Sequence, residues 1–404
     1  MARFEPIAVA RPGADKVSLV TCKSYDDYSA AELAAQLDFN PYSFLHVLNP
    51  AYVNQQKIGL EKRFKLVAQK YADFKADGTL ITDPESAFYL YRIESKHGTF
   101  QGIVGGCSVE DYRSGVIKQH EDTLQYRVEL FKDYLHQTRF NTEPVLIAYE
   151  QSAAFSEKLE QISSTEPIYR FSTPQKDTHT LWKIAQAEVV AEIQQYFAKQ
   201  KKLYIADGHH RSASADLLEK QYANEQPASS LFLSFLIAEQ DIKIFEYNRI
   251  IRDLAGLTEE DFLREIEKHF WVTNKGKELY KPEQKYHFGM YFKQSFYKLQ
   301  FKNPFDLQTI EEKLDAHILY RYVLNPILKI SDLRNDERID YIPGKQSITT
   351  IKEVIDEGEY EVGFLLYPSS ITEIKELADH NFIMPPKSTY FEPKFRSGLI
   401  IYEL

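Results

Sequence analysis

The sequence predicts an α/β (α+β) protein with a large α/β insertion, and three observations carry that reading. Short β-branched and aromatic runs alternate with stretches of helical apolar spacing. One such run, Lys202–Ala206, passes through Asp207-Gly208 directly into a helical pattern. The chain has 404 residues, more than one ordinary core holds, so two packed units or one domain with an insertion are expected.

The elements follow in order. A turn-rich opening holds a helical stretch near Ala30–Leu37. Phe88–Glu94 and Phe100–Val109 read as two strands joined at His97-Gly98, because aromatic and β-branched residues flank a tight-turn glycine. Leu124, Val128, Leu130, Phe131 and Leu135 recur at near-helical spacing, which puts the His120-Glu121 pair where that helix is expected to begin. Val145–Tyr149 reads as a buried strand and Ala185–Phe197 as an amphipathic helix, while SASADLLEKQY from Ser212 is helical again. A middle block carries strands SLFLSFLIA and YHFGMYF with helices Glu259–Phe270 and Thr309–Tyr322. The last segment has a strand at Val362–Tyr367, a helix at Ile371–Ala378, a loop through Met384–Thr389 and a closing strand at Leu399–Tyr402.

Composition narrows the function. Hydrophobic residues make up 43% and charged residues 27%, ordinary globular usage far from that of disordered chains. There are 27 Tyr and 26 Phe against 3 Met, which suggests aromatic-rich strands and clefts. The 49 Lys and Arg against 59 Asp and Glu leave a net charge of −10, which opposes binding to nucleic acid. Cys22 and Cys107 are the only cysteines; they lack metal-ligand spacing and suit a reducing cytoplasm. No run approaches the ~20 apolar residues of a membrane span, and no signal peptide is evident, so a cytoplasmic location is expected.

The chemistry centres on Asp207, Gly208, His209, His210 and Arg211. A glycine between strand and helix lets backbone N–H groups approach an anion, and the helix N-terminus adds about half a positive charge of dipole. Arg211 offers a fork for phosphate oxygens, and His209 and His210 add donors. The plainer alternative is that Asp207 caps the helix and the histidines are solvated. Zinc is disfavoured, since adjacent histidines diverge and no partner has helpful spacing, so no metal ligands are assigned. Glu121, beside His120, suits a general base for a hydroxyl proton, or else a carboxylate that complements a helix dipole. Lys387, Ser388 and Thr389 put one cation and two hydroxyls in three residues, fit for a carboxylate or phosphate, or for an unremarkable loop after two prolines. Arg334, Arg338 and Lys345 flank a Tyr-Ile-Pro-Gly turn within possible reach of the same ligand, though such charges more often form a solvated face.

On these residues the chain resembles known families. NPYSFLHV, GVIKQHE, IADGHHR, YIPG and PPKSTYFEPK resemble the domain of unknown function 1015 family over nearly the whole length. YIADGHHRSASA is similar to the phosphate-binding segment of the archaeal ADP-dependent free serine kinases, members of the ParB/sulfiredoxin-like superfamily. Lys118-Gln119-His120-Glu121 resembles the segment holding their catalytic glutamate, and Pro386-Lys387-Ser388-Thr389 resembles their phosphoserine-holding loop.

The resemblance implies a ParB/sulfiredoxin-like core in residues 1–225, an inserted α/β region at 226–345, and a segment at 346–404 that completes the core and the substrate loop. It implies a nucleotide-dependent phosphotransferase, serine kinase-like, acting on free serine or O-phosphoserine in a direction left open. Glu121 with His120 would be catalytic, Asp207–Arg211 would hold ADP or ATP, and Lys387–Thr389 would hold the amino acid. Magnesium is expected to accompany the nucleotide. The rival reading is a ParB-like nucleotide-binding switch or nucleic-acid-associated protein without small-molecule turnover, against which the acidic balance argues.

Overall fold

The computed structural model describes residues 1–50 and 58–404. The chain divides into two compact units, one of residues 1–119, 123–242 and 393–404, the other of residues 120–122 and 243–392. Both mix strands and helices, and the protein is of the α/β class.

The first unit is built on a nine-stranded sheet among the described residues. Its edge is Ile117–Lys118, followed by Leu203–Asp207, Val145–Tyr149, Leu231–Ala238, Gly98–Ser108, Phe88–Ser95, Thr178–Ile184 and Tyr169–Ser172, with Phe4–Glu5 also on Gly98–Ser108. The hairpin expected around His97-Gly98 is present, running antiparallel from Ser95↔Gly98 to Tyr89↔Val104. Leu231–Ala238 is almost wholly buried, running parallel to Val145–Tyr149 and antiparallel to Gly98–Ser108, which explains its near-continuous apolar run. Gly105 has a steric cause: a Cβ there would come within 2.6 Å of the Phe4 ring. Phe88 stacks on Phe4 at that point and Phe197 meets it edge-on, with ring centroids 4.8 and 5.0 Å from Phe4. A smaller four-stranded sheet joins Leu80–Thr82, Val9–Pro12, Ile401–Glu403 and Phe140–Asn141. The closing strand is thus pinned between two segments from the first half of the chain.

Two helices in this unit position the site. His209–Tyr222 follows Leu203–Asp207 through Gly208 and packs against Gln125–Thr138, where the Ser214 hydroxyl donates to the Val128 carbonyl at 3.0 Å. The second helix starts at Gln125 with Leu124 as its N-cap, later than the sequence suggested. Leu124 has extended backbone, and its N–H is taken by Nε2 of His210 at 3.0 Å. His120 and Glu121 therefore lie in irregular chain ahead of the helix.

The second unit has an antiparallel seven-stranded sheet in the order Phe270–Gly276, Ser295–Phe301, His287–Phe292, Val362–Leu365, Lys243–Ile251 and Ile339–Pro343, with Thr389–Glu392 added to the first half of Lys243–Ile251. Glu259–His269 covers it as expected, with Phe262 and Ile266 buried. The helix expected over Thr309–Tyr322 is instead a run of turns, then Asp315–Leu319, then a π-turn at Tyr320–Leu324. The Glu312 carboxylate accepts the N–H groups of Gln308 and Thr309, at 2.9 and 3.2 Å, and closes that first turn on itself.

Among the described residues no helix is long and apolar enough to cross a membrane. Cys22 and Cys107 are buried free thiols, and burial pushes both up to about 12.

Candidate functional site

The strand Leu203–Asp207 is buried through Ala206 and delivers Asp207 to its end. Gly208 then takes φ +104°, a left-handed conformation glycine adopts without penalty. It is the N-cap of His209–Tyr222, and no side chain caps that helix. The first N–H groups of a helix have no intrahelical partner, so this junction has the backbone geometry of an anion site.

Asp207 has a task other than capping. Its Oδ2 lies 3.0 Å from Lys394 Nζ and 3.4 Å from Arg211 Nη2. Burial pushes this carboxyl up, but Lys394 and Arg211, with His209, outweigh that and hold it well below the usual carboxylate range. Arg211 is folded over the glycine: a Cβ at Gly208 would meet its guanidinium nitrogens and carbon at 3.0 to 3.1 Å. Its Nη1 donates to the Pro144 carbonyl. The arginine therefore braces the loop between Asp207 and the start of Val145–Tyr149, with its charge kept at the junction.

The two histidines differ. His209 is buried at 3% exposure. His210 accepts the Leu124 N–H on Nε2, so in the neutral ring the proton sits on Nδ1. This bond ties the first turn of His209–Tyr222 to the start of the neighbouring helix. The hydroxyls of Ser212 and Ser214 bond back to the carbonyls of His209 and His210 at 3.0 and 2.7 Å, tightening the same turn.

The remaining residues singled out in the sequence gather in the second unit. His120 is fully buried; its carbonyl accepts the Met384 N–H at 2.9 Å and its ring lies 5.9 Å from that of Phe391. The segment with His120 and Glu121 is thereby tied to the chain that holds Lys387–Thr389. Lys387 has φ +53° and places Nζ 5.3 Å over the Tyr247 ring. The Ser388 hydroxyl donates to the Pro385 carbonyl at 2.7 Å, a local turn bond. Thr389 pairs with Glu246 across the sheet, and its Oγ1 is buried with no hydrogen-bond partner among the described residues.

Arg334, Arg338 and Lys345 separate. Arg334 pairs with Asp122 at 3.3 Å. Arg338 is held by Asp336 and the carbonyls of Leu328 and Lys329, a structural brace. Lys345 reaches Glu392 at 3.3 Å and donates to the Tyr390 hydroxyl. Lys394 received no role in the sequence reading although it stands in PPKSTYFEPK; the signal was a second lysine seven residues after Lys387. No group of three or more His, Cys, Asp or Glu side chains able to hold a metal occurs among the described residues. Asp207, the carboxylate at the loop, is already paired with two cations, so these residues do not fit a resident metal.

The fold and this junction define an α/β protein in which a strand breaks at a left-handed glycine into a helix opening with two histidines and an arginine. The chain belongs to the family described as protein of unknown function (DUF1015), whose model matches residues 4–317. No curated protein matches it. A free serine kinase mutant in complex with AMP is similar at 13% identity and a TM-score of 0.37, over 73% of this chain and 89% of that one. SbnI with a C-terminal truncation, from Staphylococcus aureus, is similar at 13% identity and 0.38, over 72% and 82%. A conserved hypothetical protein from Pyrococcus furiosus is similar at 13% and 0.36, over 75% and 94%.

Proposed function

We propose that this protein is a nucleotide-dependent phosphotransferase acting on a small hydroxy amino acid, free serine or O-phosphoserine. The observation that carries the reading is the Asp207–Arg211 junction: a left-handed glycine, a helix start without a side-chain cap, and Arg211 and Lys394 held beside it on Asp207. Such a junction favours the phosphates of ADP or ATP through backbone donors, the helix dipole and fixed cations. The motif resemblance of this segment, of Lys118–Glu121 and of Pro386–Thr389 to the free serine kinases supplies the substrate class.

In this reading the nucleotide enters as its magnesium complex, the ion being part of the substrate and carried by phosphates and water. Glu121 accepts the proton of the amino acid hydroxyl as its oxygen bonds to the terminal phosphorus of the nucleotide, the phosphoanhydride bond to that phosphorus breaks and the nucleotide leaves one phosphate shorter; in the reverse direction Glu121 returns the proton. His120, through its carbonyl bond to Met384, positions Glu121. Lys387 supplies the charge for the amino acid carboxylate or phosphate, with Ser388 and Thr389 beside it. A switch without turnover needs the first set of residues and none of the second.

Steady-state kinetics of Lys387→Met test this division of labour. The expected result is a KM for the amino acid raised about tenfold or more, the loss of a hydrogen bond to a charged group, with calorimetric affinity for nucleotide unchanged. An equal loss of nucleotide affinity would move Lys387 to the nucleotide. Nucleotide binding with no amino acid dependence in any assay would favour the switch.

A further inference from the structure

The first unit contains a cavity of about 700 Å³, and none of the residues lining it belongs to Asp207–Arg211. Six of them matter here: Leu19, Thr21, Lys23, Phe39, Tyr42 and Arg396. The polar part is unusual. Arg396 donates from Nη2 to the Thr21 carbonyl, yet its Nε has no hydrogen-bond partner among the described residues. Thr21 is 3% exposed, and its Oγ1 also has none. A buried donor left without a partner is destabilising, more so when charged, so such atoms mark a place where a partner is expected.

Among the described residues no carboxylate lies within ion-pair distance of Arg396, and its field falls on Cys22, Tyr28, Tyr91 and His179, all neutral at pH 7. Glu143 is engaged by the hydroxyls of Ser24 and Ser397 at 3.4 and 3.0 Å. Glu32, which does line the cavity, closes a capping box with Ser29 and takes Lys23 at 3.4 Å. Lys23 also lies 4.9 Å over the Tyr28 ring, so the cationic side consists of a lysine and an arginine facing one committed carboxylate.

The rim is apolar. Leu19, Phe39 and Tyr42 are 45%, 85% and 40% exposed and line the same cavity. Exposed apolar side chains are common singly. Three around one concavity that also holds a guanidinium with no carboxylate partner among the described residues suit a ligand with an apolar body and a charged head.

We propose that this cavity is a second ligand site, which takes a small aromatic anion with its head on Arg396 and Lys23 and its ring among Leu19, Phe39 and Tyr42. The site stands independently of the phosphotransfer reading. Its test is calorimetric titration of the full chain with phenylacetate, using phenethylamine and acetate as probes of the same ring and the same head. Phenylacetate should bind, phenethylamine should not, and acetate should bind at least about tenfold more weakly, as expected from losing the apolar contact.

Arg396→Gln should weaken phenylacetate about tenfold or more. Phe39→Ala should also weaken it, and because that side chain is largely in water its removal leaves the fold intact and keeps the test valid if Arg396→Gln misfolds. ADP at saturation should not displace phenylacetate. Equal binding of phenylacetate and phenethylamine, no binding of phenylacetate, indifference to both substitutions, or competition with ADP would each overturn the proposal.

Discussion

At the scale of single residues the account rests on charges whose partners are fixed. Asp207 is held ionised by Lys394 and Arg211, so Arg211 both braces the loop and charges it. Arg211→Ala should lower nucleotide affinity by about 1.5–3 kcal/mol, the range for a hydrogen bond to a charged group; unchanged calorimetric affinity in a folded variant would confine Arg211 to bracing. Glu121 lies in irregular chain ahead of the helix that starts at Gln125, and in the proposed reaction it is the base. Glu121→Gln keeps the shape and loses the base. It should reduce single-turnover phosphoryl transfer by about 10²–10⁴-fold with circular dichroism and nucleotide titration unchanged; near-normal turnover would remove Glu121 from the mechanism.

At the scale of elements, regular pieces with their own punctuation were readable and pieces held by distant partners were not. The hairpin around His97-Gly98 and the helices Ala30–Phe39 and Glu259–His269 carry their turn glycine or their Ser29 and Thr258 caps locally. The stretch 309–322 carries helical spacing, but Glu312 turns its beginning back on itself. Asp315 is drawn to the Tyr286 N–H at 3.0 Å, 29 residues away. That carboxyl supplies a pH test. Burial pushes it up to about 7, against the smaller opposing effects of the Tyr286 N–H and Lys285, and its Oδ2 has no hydrogen-bond partner among the described residues. A carboxyl raised in the folded state adds stability that is full below its unfolded value of about 3.9 and is lost as pH rises through about 7. The loss is roughly 3–5 kcal/mol across that window. Asp315→Asn abolishes this slope, so denaturant unfolding should find the variant weaker than the parent near pH 5 and the gap closed or reversed near pH 8. A constant gap would show that Asp315 does not titrate there.

At the scale of the whole molecule, the chain returns late to elements laid down early. The strand Ile401–Glu403 closes a sheet with Val9–Pro12 and Phe140–Asn141, and Lys394 reaches Asp207 across 187 positions. The α/β class and the family were legible because local runs carry them, including IADGHHR, which lies within the matched residues 4–317. Lys394 and Arg396 were not, since a second lysine after Lys387 flags the segment but does not say that Lys394 meets Asp207 or that Arg396 lines a cavity with Thr21. The central claim is phosphoryl exchange between a nucleotide and a hydroxy amino acid, and phosphorus NMR reads it without assuming a direction. The purified protein is incubated with magnesium and ADP or ATP, together with serine in one arm and O-phosphoserine in the other. Phosphoserine should appear from serine, or nucleotide should gain the phosphate of phosphoserine, in at least one arm. Nucleotide resonances that respond to the protein while phosphate connectivity stays unchanged in every arm would contradict the central claim.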